Sequence, residues 1–228
     1  MTNRKLITER RKQRQRQQRV TMIMILSGVA LIVAAILIVS SVQKRNFETS
    51  VKMAQGNALG DPNAPVEFHI YSDFGCGHCA NFAAEKTPLI ISEYVETGKV
   101  YLVYHSVGDL LSSVTPLAAE AAYCAGDQNK FWEYHDLLWA NQANLFNGSE
   151  TEIFSNFGTF ALELGLDTAA FNQCLNDRAY KELVVQDGLD ARAAGINSTP
   201  SFLINGQLLV GNLPYEEFQT MIESELAK

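Results

Sequence analysis

The stretch Ser72–Phe82 reads SDFGCGHCANF and sets Cys76 and Cys79 three positions apart, with only Gly77 and His78 between them. Two different periodicities meet there. Upstream, Val66, Phe68 and Ile70 alternate with Glu67, His69 and Tyr71, the period-two pattern of a strand. Downstream, Phe82, Leu89, Ile90 and Tyr94 can share one helical face, and Pro88 predicts a kink. The chain must therefore fold so that a strand hands over directly to a helix, with a cysteine pair at the junction.

That position has chemical consequences. Cys76 falls at or next to a helix N-terminus, where unpaired N–H groups and the macrodipole favour an anion. Cys79 lies one turn later, close enough to pair and more buried. Cys76 is thus read as the exposed, low-pKa thiolate that attacks or is attacked, and Cys79 as the resolving thiol. His78 adds a second source of positive charge beside Cys76. A c-type haem attachment needs His after the second cysteine, where Ala80 stands. A structural zinc needs four ligands, and no second C-x-x-C exists. A redox couple is the reading that fits, with a structural clip as the plainer alternative and the direction of electron flow open.

The net charge of −7 conceals an asymmetry. Eight basic residues (Arg4, Lys5, Arg10, Arg11, Lys12, Arg14, Arg16 and Arg19) precede Val20, against the single acid Glu9. After Arg45 the balance reverses to eight basic residues against 24 acids, which excludes a body that lies along nucleic-acid phosphates. Between the two, Val20–Val42 carries no charge. As a helix this run is about 34 Å long, enough to cross a hydrocarbon core of about 30 Å. It exceeds the apolar region of a cleavable leader and no Ala-x-Ala site follows it. It reads as an uncleaved signal anchor. The basic head then stays in the cytoplasm and the remainder lies in the periplasm or outside the cell. All four cysteines, Cys76, Cys79, Cys124 and Cys174, fall on that exported side, where disulfides persist.

The expected organisation is a basic head over 1–19, an anchor over 20–42, a tether over 43–60 and one domain over 61–228. Within that domain a second strand follows Gly98, at Val100–His105. The segment from Ser113 to about Ala194 reads as a block of helices, and "TPSFLINGQLLVG" as two short strands turning at Asn205-Gly206. A closing helix completes the order strand, helix, strand, helices, strand, strand, helix.

"VEFHIYSDFGCGHC", the helical block and "GINSTPSFLING" together resemble the DsbA-like branch of the thioredoxin superfamily, over about Pro62 to Leu226. The resemblance implies an α/β thioredoxin fold with a helical domain inserted at about 113–177, here preceded by one N-terminal transmembrane helix. It also implies a protein disulfide oxidoreductase without cofactor or metal. Carried over, Cys76 is the nucleophile and Cys79 its resolving partner. Thr199-Pro200 matches the family's cis-proline loop, which lies against the active-site sulfurs and offers hydrogen bonds to a bound peptide. The implied partners are reduced exported polypeptides and a quinone-linked membrane oxidase of DsbB or VKOR type. The chain departs from the pattern twice. Gly77-His78 is the dipeptide associated with disulfide isomerases. Ile70 stands where many members carry a buried acid, so the Cys79 proton must pass through water or another group.

Cys124 and Cys174 stand fifty positions apart on two apolar helices. They read as a structural disulfide, with two core thiols or an electron relay to Cys76 as alternatives. His69, His105 and His135 have no ligand spacing and read as structural. Phe74 is either core or peptide-contact surface.

Overall fold

The computed structural model describes residues 54–107 and 114–228, together with Met22. The basic head, the anchor apart from Met22, and the tether up to residue 53 lie outside the described residues. No helix among the described residues is long and apolar enough to cross a membrane.

A six-stranded sheet carries the fold, in the order β1-β2-β4-β3-β5-β6. Its centre is β3 (Val66–Ser72) and β4 (Val100–Ser106), paired in parallel with Ile70 opposite Tyr104 and Ser72 opposite Ser106. A parallel pair requires a crossover. It is made by α1 (Gly77–Glu85), α2 (Thr87–Ile90) and a π-helical turn (Ile91–Val95). The break between α1 and α2 falls at Lys86, two residues before Pro88, which sits in the first turn of α2 where its missing N–H is tolerated. β5 (Ser201–Ile204) runs antiparallel beside β3, and β6 (Gln207–Val210) returns along β5. The turn between them is Asn205-Gly206, with φ of 45° and 80°, as a two-residue hairpin with both central residues left-handed requires.

The tether ends earlier than Gly60. Ala54–Gln55 (β1) and Ala58–Leu59 (β2) form a small hairpin on the edge of the sheet, where Leu59 pairs with Leu102. Strands of two residues are too short to show a period, and only the partner strand makes them strands. Gly60 closes this corner at φ +100°, and a Cβ there would meet the Val100 carbonyl at 2.7 Å.

Among the described residues, six helices lie between β4 and β5. They are α3 (Thr115–Gly126), α4 (Phe131–Ala140), α5 (Gln142–Leu145), α6 (Glu150–Glu163), α7 (Thr168–Asn176) and α8 (Lys181–Ala193). Ser149 and Glu152 form a capping box at the start of α6, and the Asp167 carboxylate caps α7. A last helix, α9 (Tyr215–Leu226), follows β6. The alanines of α3 are buried, which lets neighbouring helices approach closely. The Glu120 carboxylate, 1% exposed on α3, takes two bonds of 2.6 Å from the Arg178 guanidinium. A lone acid in "TPLAAEAAYCAG" gives no sign of that partner.

Each face of the sheet has its own cover. On one, Phe68 meets Phe202 and Phe218 of α9, and Phe82 of α1 packs on the same two rings. On the other, Tyr71, Val107, Ala191 and Ile196 form a separate cluster, so α8 is what covers it. Between that cluster and the sheet edge runs a chain of polar side chains. Glu67 sits 3.5 Å from His69 Nε2, His69 Nδ1 lies 2.9 Å from His105 Nε2, and His105 Nδ1 lies 2.9 Å from the Asp187 carboxylate. The Tyr123 hydroxyl donates to the other Asp187 oxygen at 2.9 Å. These histidines are satisfied by one another rather than by a ligand.

Burial, then the neighbouring His105, hold the His69 imidazole below its ordinary value of 6.5, with Glu67 opposing. Its neutral form is therefore favoured in the fold. The stability it contributes is complete above pH 6.5 and is lost as pH falls toward its folded pKa. The lowered carboxylates Asp61 and Glu152 act only near and below their ordinary values of 3.8 and 4.5. Urea unfolding of the oxidised protein, in which Cys76 does not titrate, is expected between pH 6.5 and 5 to show stability falling with pH, and His69→Gln to flatten that slope. An unchanged slope in the variant would show that His69 is not its source.

Candidate active site

β3 ends at Ser72, and three residues later the chain enters α1 with Cys76 as the N-cap, φ −85° and ψ 116°. Asp73 builds the connection. Its carboxylate accepts the Gly75 N–H at 2.8 Å and faces the Thr115 hydroxyl at 3.4 Å, while its carbonyl accepts the Cys76 N–H at 2.8 Å. The carbonyl of Cys76 in turn takes the N–H groups of Cys79 and Ala80, both at 3.1 Å. This fixes both cysteines on the first turn of α1.

Cys76 and Cys79 are free thiols in the structure. Cys76 is 8% exposed, less than the sequence reading of an exposed thiol, because the Thr199-Pro200 loop lies over it. Cys79 is 1% exposed. The Thr199-Pro200 peptide bond is cis. The Thr199 carbonyl lies 3.5 Å from Cys76 Sγ and accepts from it when the sulfur is protonated. The loop is anchored by the Gly211 N–H on the Pro200 carbonyl at 2.8 Å and by the Ser201 hydroxyl on the Ser198 carbonyl at 2.7 Å. Sequence separation of 123 residues thus becomes direct contact between the loop and the first cysteine.

The two sulfurs are electrostatically opposite. Cys76 is lowered to about 5, first by a hydrogen bond from the Cys79 thiol, then by Thr199 and the backbone N–H groups of Cys79 and His78, against the opposing effect of burial. Cys79 is pushed far up, first by burial and then by its hydrogen bond to Cys76. The side chain of His78 is exposed, so its backbone N–H rather than its imidazole is the group that acts on Cys76. The helix-terminal N–H donors expected from the sequence contribute, but after the Cys79 thiol and Thr199.

The match to known proteins follows this geometry. The family described as Thioredoxin matches residues 52–224, about three quarters of the chain. The chain belongs to the thioredoxin family. Relatives of this thioredoxin-family protein include proteins named for disulfide bond formation. It is 28% identical over 174 residues to the probable disulfide bond formation protein D of Bacillus anthracis, covering 75% of this chain and 78% of that one. It is 30% identical over 171 residues to the Na(+)/H(+) antiporter NhaA 1 of Salinispora arenicola, covering 74% of this chain but spanning only 24% of that protein. The crystal structure of alpha-DsbA1 of Wolbachia pipientis superimposes with a TM-score of 0.67 at 24% identity, covering 75% of this chain and 90% of that one, which speaks for the fold.

Other residues of this thioredoxin-family protein fall away from the cysteine pair. Cys124 of α3 and Cys174 of α7 are bonded to each other. Phe74 is core, 0% exposed and packed on Tyr104, His135 and Trp139, so it offers no surface to a peptide. Ile70 is buried among apolar side chains, without a charge to offer Cys79. The sequence reading passed over Ser72, Asp73, Tyr104 and Thr115. Ser72 and Asp73 were the legible ones, as polar residues that end a buried strand immediately before the pair.

Proposed function

We propose that this chain is a thiol-disulfide oxidoreductase that introduces disulfide bonds into exported proteins, held at the membrane by an anchor at residues 20–42. The difference between the two sulfurs carries the reading. Cys76, Cys79 and the Thr199-Pro200 loop are the working residues. In the oxidised protein a substrate thiolate attacks Cys76 Sγ, the Cys76–Cys79 bond breaks and Cys79 leaves. A second substrate thiolate then attacks the substrate sulfur of the mixed disulfide, and Cys76 leaves as thiolate. A thiol at about 5 is a good leaving group in that step. Two units below pH 7 stabilise the reduced form by about 2.7 kcal/mol, which raises the two-electron potential by about 60 mV. Both effects favour donating a disulfide over removing one.

Thr199 supports substrate contact, since its peptide group faces Cys76 and a bound extended segment can share it. His78, exposed at the mouth of the site, acts on the incoming substrate. Re-oxidation falls to a quinone-linked membrane oxidase of DsbB or VKOR type, and the anchor keeps the domain near it. The name of the Bacillus relative, a probable disulfide bond formation protein, supports the direction. The Gly77-His78 dipeptide favours an isomerase or reductase as the second reading.

The test is a titration of Cys76 by thiolate absorbance together with the equilibrium of the pair against glutathione. A midpoint of about 5 is expected, with a potential well above that of thioredoxin, about −270 mV. A potential near thioredoxin's makes the protein a reductase. The anchor is tested by fractionation, where the full chain is expected in the membrane and a chain beginning at residue 46 is not.

A further inference from the structure

Behind Cys79 lies a group of hydroxyls that the scheme above does not use. Ser72, Tyr104 and Ser106 are 2%, 1% and 0% exposed, and Asp73 is 0% exposed. The strand register puts Ile70 opposite Tyr104 and Ser72 opposite Ser106, so the two serines and the tyrosine share one face of the paired strands. Among the described residues, Ser106 Oγ has no hydrogen-bond partner, and Tyr104 Oη makes no hydrogen bond of normal length, the Ser72 hydroxyl being its polar neighbour. A buried hydroxyl without a partner is costly, and such groups are rare in folded proteins. Tyr104 Oη is held in place by the packing of its ring on Phe74, Phe131 and His135. It cannot turn away to water.

The neighbours of Cys79 explain what this oxygen faces. Cys79 is buried one turn before Phe82, whose ring packs with Phe202 and Phe218 over the same face of β3 as Phe68, and the Ser72 hydroxyl and the Asp73 N–H both favour its charged form. A charge on Cys79 acts on Tyr104, and the Ser72 hydroxyl acts on both. The carboxylate of Asp73 is tied to the Gly75 N–H, which fixes the peptide whose N–H points at the sulfur.

We propose that the Ser72 hydroxyl, the Asp73 N–H and the Tyr104 hydroxyl form a preorganised donor pocket for the Cys79 thiolate, the leaving group when the Cys76–Cys79 disulfide is opened. The proposal rests on the redox reading above. In the step concerned, the attacking thiolate forms a bond to Cys76 Sγ, the Cys76–Cys79 bond breaks, and the negative charge passes from the attacking sulfur to Cys79. No proton or outside oxidant is needed. A donor placed where charge develops, and unsatisfied before it does, stabilises the transition state more than the ground state. Burial opposes a charge at Cys79, so the pocket bears on rate. It also supplies a local answer to the absence of an acid at Ile70, using neutral donors in place of a carboxylate.

The experiment uses the full-length oxidised protein and dithiothreitol as the attacking thiol, with disulfide opening followed by acid quench and thiol labelling. Tyr104→Phe, which removes only the hydroxyl, is expected to lower the second-order rate constant about tenfold or more, as loss of a hydrogen bond to a charged group does. The Cys76 titration midpoint is expected to stay where it is, because its donors are other groups. A rate within about twofold of wild type overturns the proposal, since one hydrogen bond to a charge cannot be worth so little. If Tyr104→Phe does not fold, Ser72→Ala takes its place, with the same loss expected and Ser72→Thr expected to restore the rate. Ser72→Ala at the wild-type rate overturns the proposal equally. A wild-type disulfide that does not react with dithiothreitol overturns the redox reading itself, a result distinct from either variant outcome.

Discussion

Cys76→Ser is expected to reduce disulfide transfer to the uncatalysed background, the largest effect of any single substitution in this chain. A serine hydroxyl is not ionised at neutral pH and cannot enter a disulfide, so neither the oxidised pair nor the mixed disulfide can form. The measurement is oxidation of a reduced model polypeptide, followed by counting its free thiols. The partner variant gives the complementary result. Mixed with a disulfide-containing polypeptide, Cys79→Ala should accumulate a covalent adduct visible by mass spectrometry: the Cys76 thiolate attacks the substrate disulfide, one substrate sulfur leaves as thiolate, and no resolving thiol releases the mixed disulfide. The two outcomes differ because the cysteines differ in place. Cys76 sits under Thr199 at the mouth of the site, whereas Cys79 is sealed behind it. If Cys76→Ser retained full activity, the chain would be a binding module that uses this fold without turnover.

Loss of the Cys124–Cys174 bond is expected to have the second-largest effect, on stability rather than exchange. The bond closes a loop of 50 residues. On the chain-entropy estimate such a closure stabilises by about 4 kcal/mol, a large share of the roughly 5–15 kcal/mol of a typical domain. The doubly substituted protein, Cys124→Ala with Cys174→Ala, should show that loss as a lower urea midpoint with little change in slope. The potential of the Cys76–Cys79 pair should stay as it was. The bond joins α3 to α7 within the inserted helices, while the redox pair stands on the first turn of α1. A shift of that potential would instead favour the electron relay that the even cysteine count also allows. A stability loss well under 1 kcal/mol would mean that the helices hold together without it.

What could be read from the chain depended on how local each feature is. The alternation of Val66, Phe68 and Ile70 and the cysteine spacing are local, and both lie where the sequence pattern puts them. The Asn205-Gly206 turn is local in the same way, since both residues tolerate a left-handed backbone. The β1–β2 hairpin was read as tether because a two-residue strand has no period of its own. Phe74 fits core and surface equally from the sequence, because a single aromatic beside a turn carries no face. Its partners, Tyr104, His135 and Trp139, come from two elements far along the chain.

The sequence by itself determined the setting of the pair: two cysteines three apart at a helix N-terminus put a second thiol and the helix's own N–H groups beside Cys76 wherever that helix stands. It also determined which segments pack, because periodicity records which side of each element is apolar. Tertiary structure alone decided what surrounds the two sulfurs. It brought Thr199 across 123 residues onto Cys76. It set the hydroxyls of Ser72 and Tyr104 beside Cys79 by the register of two parallel strands. Register and loop contact join residues whose separation along the chain leaves no periodic trace, and the low dielectric that makes each donor count exists only once the strands and helices have closed over it.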